Sequence, residues 1–212
     1  MSGFRVMERD REIIREIDRW RVVQGRHIRE LVGFGGQRAC DRRLRKLAQA
    51  GYISREKILY GVAGIYKNTS SATRIMEKRV SPQSKIRVEQ ILHDISVLDV
   101  AIFLNKKYGI EFADMKTEIE LHRQDGFGVR KHRPDLIFTN KDNKNTCVEV
   151  ELSLKSAVRF DKILQNNFND YDIQIWVVSD KENKIARILR ENQELYPIIE
   201  IIEMEEIRKW II

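Results

Sequence analysis

The stretch 37–50 constrains this chain more than any other part of it. Cys40, Leu44 and Leu47 recur at helical spacing and make one apolar stripe, while Arg38, Arg42 and Arg45 line up on the other side by the same period. Arg43 and Lys46 flank that cationic line. The spacing therefore predicts a helix with one face for a core and the other for an anionic partner.

The neighbouring residues give this helix a setting. Ile13, Ile14, Ile17 and Trp20 predict a helix over 8–20, and Ile28, Leu31 and Val32 a short second helix over 27–32. Gly33-Phe34-Gly35-Gly36 breaks the second helix before the basic one begins. After Gly51-Tyr52-Ile53-Ser54, residues 56–60 and 65–67 read as a β-hairpin turning around Gly61 and Gly64. Helix, short helix, turn, basic helix, hairpin is the order of a winged helix-turn-helix. In such a domain the last helix enters the major groove, where Arg reads guanine edges and other cations grip phosphates. Arg38, Arg42, Arg43, Arg45 and Lys46 are the expected contacts to double-stranded DNA. Lys57, Tyr60, Tyr66 and Lys67 of the wing are placed to touch its backbone. The competing reading is a three-helix bundle whose basic face is solvated or binds a protein, and a hairpin directly after the basic helix weighs against it.

The charge distribution agrees. Residues 1–80 hold 19 Lys+Arg against 9 Asp+Glu, a net of +10, whereas residues 81–212 hold 20 against 23, a net of −3. The basic excess sits wholly in the first part, which suggests a polyanion partner there and a different task for the rest. Two domains are expected, 1–80 and 81–212, joined through the polar stretch 70–82. No apolar run reaches the length of a membrane span, and the charged residues Arg5, Glu8, Arg9 and Asp10 are unlike a signal peptide's apolar core. Cys40 and Cys147 follow no metal spacing and read as reduced, buried residues of a cytoplasmic protein.

The second part alternates strands and helices. A long helix is expected over 88–107, apolar through Ile91, Leu92, Ile95, Leu98, Ile102 and Leu104, and interrupted by His93 and Asp94, which are expected to be satisfied by neighbours. Strands are expected over 116–121, 135–139, 146–152, 173–179 and 198–204, with helices over 156–169 and 183–195. This order implies a mixed sheet covered by helices, an α+β chain overall. Pro134-Asp135 opens one strand, and Glu149-Val150-Glu151 lies on the next with Lys155 following. Alternation puts Glu149 and Glu151 on one face, and pairing with Asp135 across the hairpin would gather oxygen ligands for a hard divalent cation such as Mg²⁺. Such a metal would polarise a phosphodiester and lower the pKa of a bound water.

The order of these motifs resembles the PD-(D/E)XK nuclease superfamily, whose core carries Asp on its second strand and Glu-x-Lys on its third. Here Glu151 stands at the lysine position. On the resemblance, Asp135 and Glu149 would bind the metal, Glu151 would be a further ligand or the base, Lys155 would steady charge on the phosphate, and Glu89 or Glu118 would complete the set. The whole chain is similar to a more specific family. Arg9-Asp10-Arg11, Arg42-Arg43-Leu44 with Leu47 before Gly51-Tyr52, His93-Asp94, Arg133-Pro134-Asp135, and 148–153 followed by Lys155 resemble the replication-relaxation family of bacterial plasmids and integrative elements. That family joins a winged helix to a nuclease-like domain. The resemblance implies a part in plasmid replication or DNA relaxation, and the reading drawn from it is a DNA-binding regulator of replication, transfer or transcription whose nuclease-like carboxylates are remnants or structural ions. The alternative is a metal-dependent endonuclease or nickase. Regulatory winged helices often act as homodimers. The apolar stretch 207–212, with Trp210, reads either as such an interface or as the last piece of core.

Overall fold

The computed structural model describes residues 4–58, 60–76, 88–126, 131–153, 156–180 and 182–211. The architecture is α+β. The chain divides into two compact units, Met1–Leu98 and Asp99–Ile212. The expected boundary at 80/81 lies outside the described residues.

The first unit is assembled by helices whose apolar stripes meet. Helix α1 (Glu8–Trp20) buries Ile13, Ile14, Ile17 and Trp20. Strand β1 (Val23–Gln24) leads into α2 (Gly25–Leu31), which buries His27 and Ile28, and α3 (Gln37–Gln49) buries Cys40, Leu44 and Leu47. Between α2 and α3, Gly33 adopts φ +64°, a backbone conformation that a Cβ disfavours, so glycine sets this turn. Strands β2 (Ile53–Glu56) and β3 (Ile65–Asn68) form an antiparallel hairpin, and β1 adds to β3 to give the sheet order β1-β3-β2. The first arm thus runs over Ile53–Glu56 rather than 56–60, and the second ends one residue later than its spacing suggested. A 3₁₀ turn (Ser70–Ala72) and α4 (Thr73–Met76) occupy the stretch expected to be linker.

The division between the units falls within helix α5 (Val88–Tyr108). In the first unit, its Ile91 and Ile95 pack with Val22 and Ile65. Arg21, itself at φ 62°, donates from Nε and Nη2 to the two Asp94 oxygens at 2.8 and 2.9 Å, and Gln90 donates at 2.7 Å. Burial still pushes the Asp94 carboxyl above its ordinary value, and Arg21 and Gln90 oppose that rise.

The second unit is a five-stranded mixed sheet in the order β4-β5-β6-β7-β8. Strands β4 (Lys116–Thr117), β5 (Leu136–Thr139) and β6 (Asn145–Glu151) pair antiparallel; β7 (Ile173–Val178) and β8 (Ile199–Glu203) follow in parallel. The parallel pairs need crossovers, supplied by α7 (Ala157–Asp170) and α8 (Lys184–Asn192). Phe160, Ile163 and Leu164 of α7 and Ile185, Ala186 and Leu189 of α8 pack with Trp176 and Val178 of β7. No described helix is long and apolar enough to cross a membrane.

Two elements differ from expectation. The strand expected over 116–121 ends after two residues, and helix α6 (Glu118–Asp125) takes over. Thr117 Oγ1 accepts the Glu120 amide, and the Glu120 carboxylate accepts the Thr117 amide, a reciprocal cap that stabilises the start of a helix. The end of the chain forms α9 (Met204–Ile211), which buries Met204, Ile207 and Ile211 and leaves Trp210 40% exposed. Of the stretch 207–211, Ile207 and Ile211 are therefore core, whereas Arg208, Lys209 and Trp210 are exposed.

Candidate functional site

The first candidate surface lies on α3. Each helical residue turns the chain about 100°, so 38, 42 and 45 share one line roughly opposite Cys40, Leu44 and Leu47. Arg38, Arg42, Arg45 and Lys46 are exposed, and none of the four forms an ion pair among the described residues. The structure thus presents four of the five expected cations outward.

Arg43 is different. It sits on the margin between the exposed row and the core, and it turns back toward α1. Its Nε donates to Asp10 Oδ1 at 2.6 Å, its Nη2 donates to Asp10 Oδ2, and Nη2 also reaches the Arg5 carbonyl. Asp10 is fully buried and also accepts the Met7 amide at 2.7 Å. A buried carboxylate needs such donors, and its hydrogen bonds and charge in turn raise the pKa of Arg43. Arg43 therefore braces α3 against α1.

On the hairpin, Lys57 is exposed, its ammonium 5.6 Å from the ring of Tyr60, and Tyr60 is 98% exposed. Lys67 instead donates to Glu56 at 2.7 Å with its side chain 14% exposed. Tyr66 is buried. Arg55 of β2, which the spacing did not single out, is exposed on the same hairpin.

The second candidate lies at the end of β5 and β6. Asp135 precedes β5, and its Oδ2 accepts the Val150 amide at 2.7 Å, which supplies a partner one step beyond the last β5–β6 pair. Its carbonyl accepts the amide of Glu118. Glu149 is buried on the face of β6 that also carries Cys147 and Glu151, beside Trp176 of β7. Its Oε1 accepts from Asn167 Nδ2 at 2.9 Å and lies 2.8 Å from His132 Nε2. Neither His132 nor Asn167 was anticipated from spacing. His132 lies three residues before Asp135, and only the tertiary fold brings α7 and its Asn167 to β6. Glu151 is also buried. Lys155 and the side chain of Glu89 lie outside the described residues. The Glu118 side chain sits 3.6 Å from His122.

These groups gather two carboxylates and an imidazole, and one oxygen of each carboxylate, Asp135 Oδ2 and Glu149 Oε1, accepts a protein donor. Among the described residues, no group of three His, Cys, Asp or Glu side chains is arranged to hold a metal ion.

Burial pushes the Glu149 carboxyl above its ordinary value, the charge of Asp135 adds to that, and His132 and Asn167 oppose it. A raised carboxyl pKa favours the protonated folded state. The stability it contributes is full below the ordinary Glu value and fades as pH rises through the raised one. Glu149→Gln stays neutral throughout, so its melting temperature should gain on wild type as pH rises from about 4 to 8. A constant or shrinking difference in thermal melts across that range would show that Glu149 is held as a satisfied carboxylate.

No protein-family model, curated protein or solved structure matches the chain.

Proposed function

We propose that this chain is a DNA-binding regulator whose first unit is a winged helix-turn-helix that sets α3 into the major groove. The exposed row Arg38, Arg42 and Arg45 with Lys46, opposite a fully buried stripe, carries the reading. The antiparallel hairpin that follows, with exposed Tyr60 and Lys57, supports it as the wing. Guanidinium groups on a helix face can pair bidentately with guanine O6 and N7, and Lys46 adds attraction for phosphate.

In the same proposal the second unit is a PD-(D/E)XK nuclease-like domain that does not cut DNA. Its sheet order and the approach of Asp135 to Glu149 support the likeness, while the hydrogen bonds that occupy both carboxylates support a structural role. The setting we propose is a bacterial plasmid or integrative element, as for the replication-relaxation family, with the protein regulating replication, transfer or transcription in the cytoplasm, as a monomer or homodimer.

Incubation with supercoiled plasmid and Mg²⁺ or Mn²⁺ tests both halves. The protein should retard the plasmid in a gel and leave it supercoiled. Nicked or linear product that Asp135→Ala and Glu149→Ala each abolish would make the chain an endonuclease, and an unretarded plasmid would remove the DNA assignment.

A further inference from the structure

The residues preceding α1 lie along α3. Phe4 is held on both sides, its ring 5.0 Å from the Arg43 guanidinium and 5.7 Å from the ring of Tyr52. The Arg5 carbonyl accepts Arg43 Nη2, and the Met7 amide donates to Asp10, so the segment 4–7 is fixed at two backbone points and by the Phe4 ring. Between this segment and α3 runs an open groove of about 530 Å³, whose lining includes Arg5 on one side and Lys46 and Gln49 on the other. Asp10 neutralises Arg43 at its base, whereas Arg5 and Lys46 are exposed and form no ion pair among the described residues.

We infer that this groove seats one phosphate of the DNA backbone, held between Arg5 and Lys46 with Gln49 as a neutral donor. The inference rests on α3 being the DNA-contacting helix. It assigns a separate job to the edge of that helix: the row 38, 42 and 45 meets bases, and the groove fixes how far α3 turns about its own axis. Two cations line one concave position while the third nearby guanidinium is committed to a carboxylate. That pattern suits a single phosphate better than a base edge, which requires a planar array of donors and acceptors. The register is also rigid, because Phe4 is clamped and Arg5 follows it directly.

A labelled mixed-sequence DNA duplex, titrated with the whole chain over about 50 to 200 mM salt, tests the inference. Arg5→Ala with Lys46→Ala should weaken binding about tenfold at low salt and reduce the slope of log affinity against log salt by about one. Arg5→Lys with Lys46→Arg should restore both, since only the charges matter. Both residues are exposed, so thermal melts of the variants should match wild type. An unchanged slope, while Arg42→Ala with Arg45→Ala still weakens binding, would overturn the phosphate seat and leave the α3 reading intact. If neither pair alters binding, the α3 reading falls and this inference with it.

Discussion

Arg42→Ala combined with Arg45→Ala is expected to abolish specific DNA binding while leaving the fold unchanged. Both side chains are exposed on the face of α3 turned away from Cys40, Leu44 and Leu47, and neither has an acidic partner among the described residues. Their removal therefore uncovers no buried charge, and melting temperature should stay near wild type. Each good bidentate contact to a base is worth about 1–3 kcal/mol, so the pair should lower affinity for a selected target by about 2–6 kcal/mol. Electrophoretic mobility shift with a target obtained by randomised-library selection measures this. Affinity retained within about threefold, roughly the experimental scale of one weak surface contact, would mean that α3 faces something else.

The largest effect on stability should come from Asp10→Ala. This substitution strips the Arg43 guanidinium of its bidentate partner and leaves the Met7 amide without its acceptor. Breaking a buried ion pair from one side costs about 3–5 kcal/mol, because the remaining charge stays desolvated. Asp10 is fully buried and the Arg43 side chain is 18% exposed, so water replaces the lost partner only in part. Adding Arg43→Met to Asp10→Ala should recover part of the loss, since it removes the orphaned charge and keeps most of the volume. Thermal and urea unfolding of the single and double variants would show this as a positive coupling. If Asp10→Ala melts within about 1 kcal/mol of wild type, Asp10 and Arg43 are not what binds α1 to α3.

The contrast between Arg42 and Arg43 shows how far the sequence is legible. Helical spacing reveals α3, its apolar stripe and its cationic row, because both depend only on residues within three turns of one another. It does not reveal that Arg43 belongs to Asp10, which lies 33 residues away and meets it only after α1 and α3 have packed. Lys67 is similar, since its partner Glu56 lies across the hairpin. Strand β1 is two residues long and becomes a strand only by pairing with β3, so no local periodicity could mark it.

In the second unit the sheet strands from β5 onward were visible as apolar runs, whereas α6 was hidden behind an apparent alternation. The Thr117-x-x-Glu120 pattern was the available signal, since a reciprocal cap favours a helix over a strand at that point. The carboxylates Asp135 and Glu149 were legible as neighbours across the hairpin. Their hydrogen bonds were not. The Val150 amide, His132 and Asn167 come from three separate parts of the chain, and their contacts with the cluster are something that a motif alone does not convey.

The exposed cations of the first unit are proposed to meet the phosphates and bases of DNA. The most direct test of that proposal is the affinity of the whole protein for duplex DNA as a function of salt. Binding through several phosphates releases counterions, so log affinity should fall linearly with log salt at a slope of about −0.9 for each phosphate neutralised. Log affinity should decline steeply, with a slope between about −2.7 and −5.4 if three to six phosphates are contacted, and the decline should become shallower in Arg5→Ala with Lys46→Ala. Absent binding, or binding that salt leaves unchanged, would contradict the proposal.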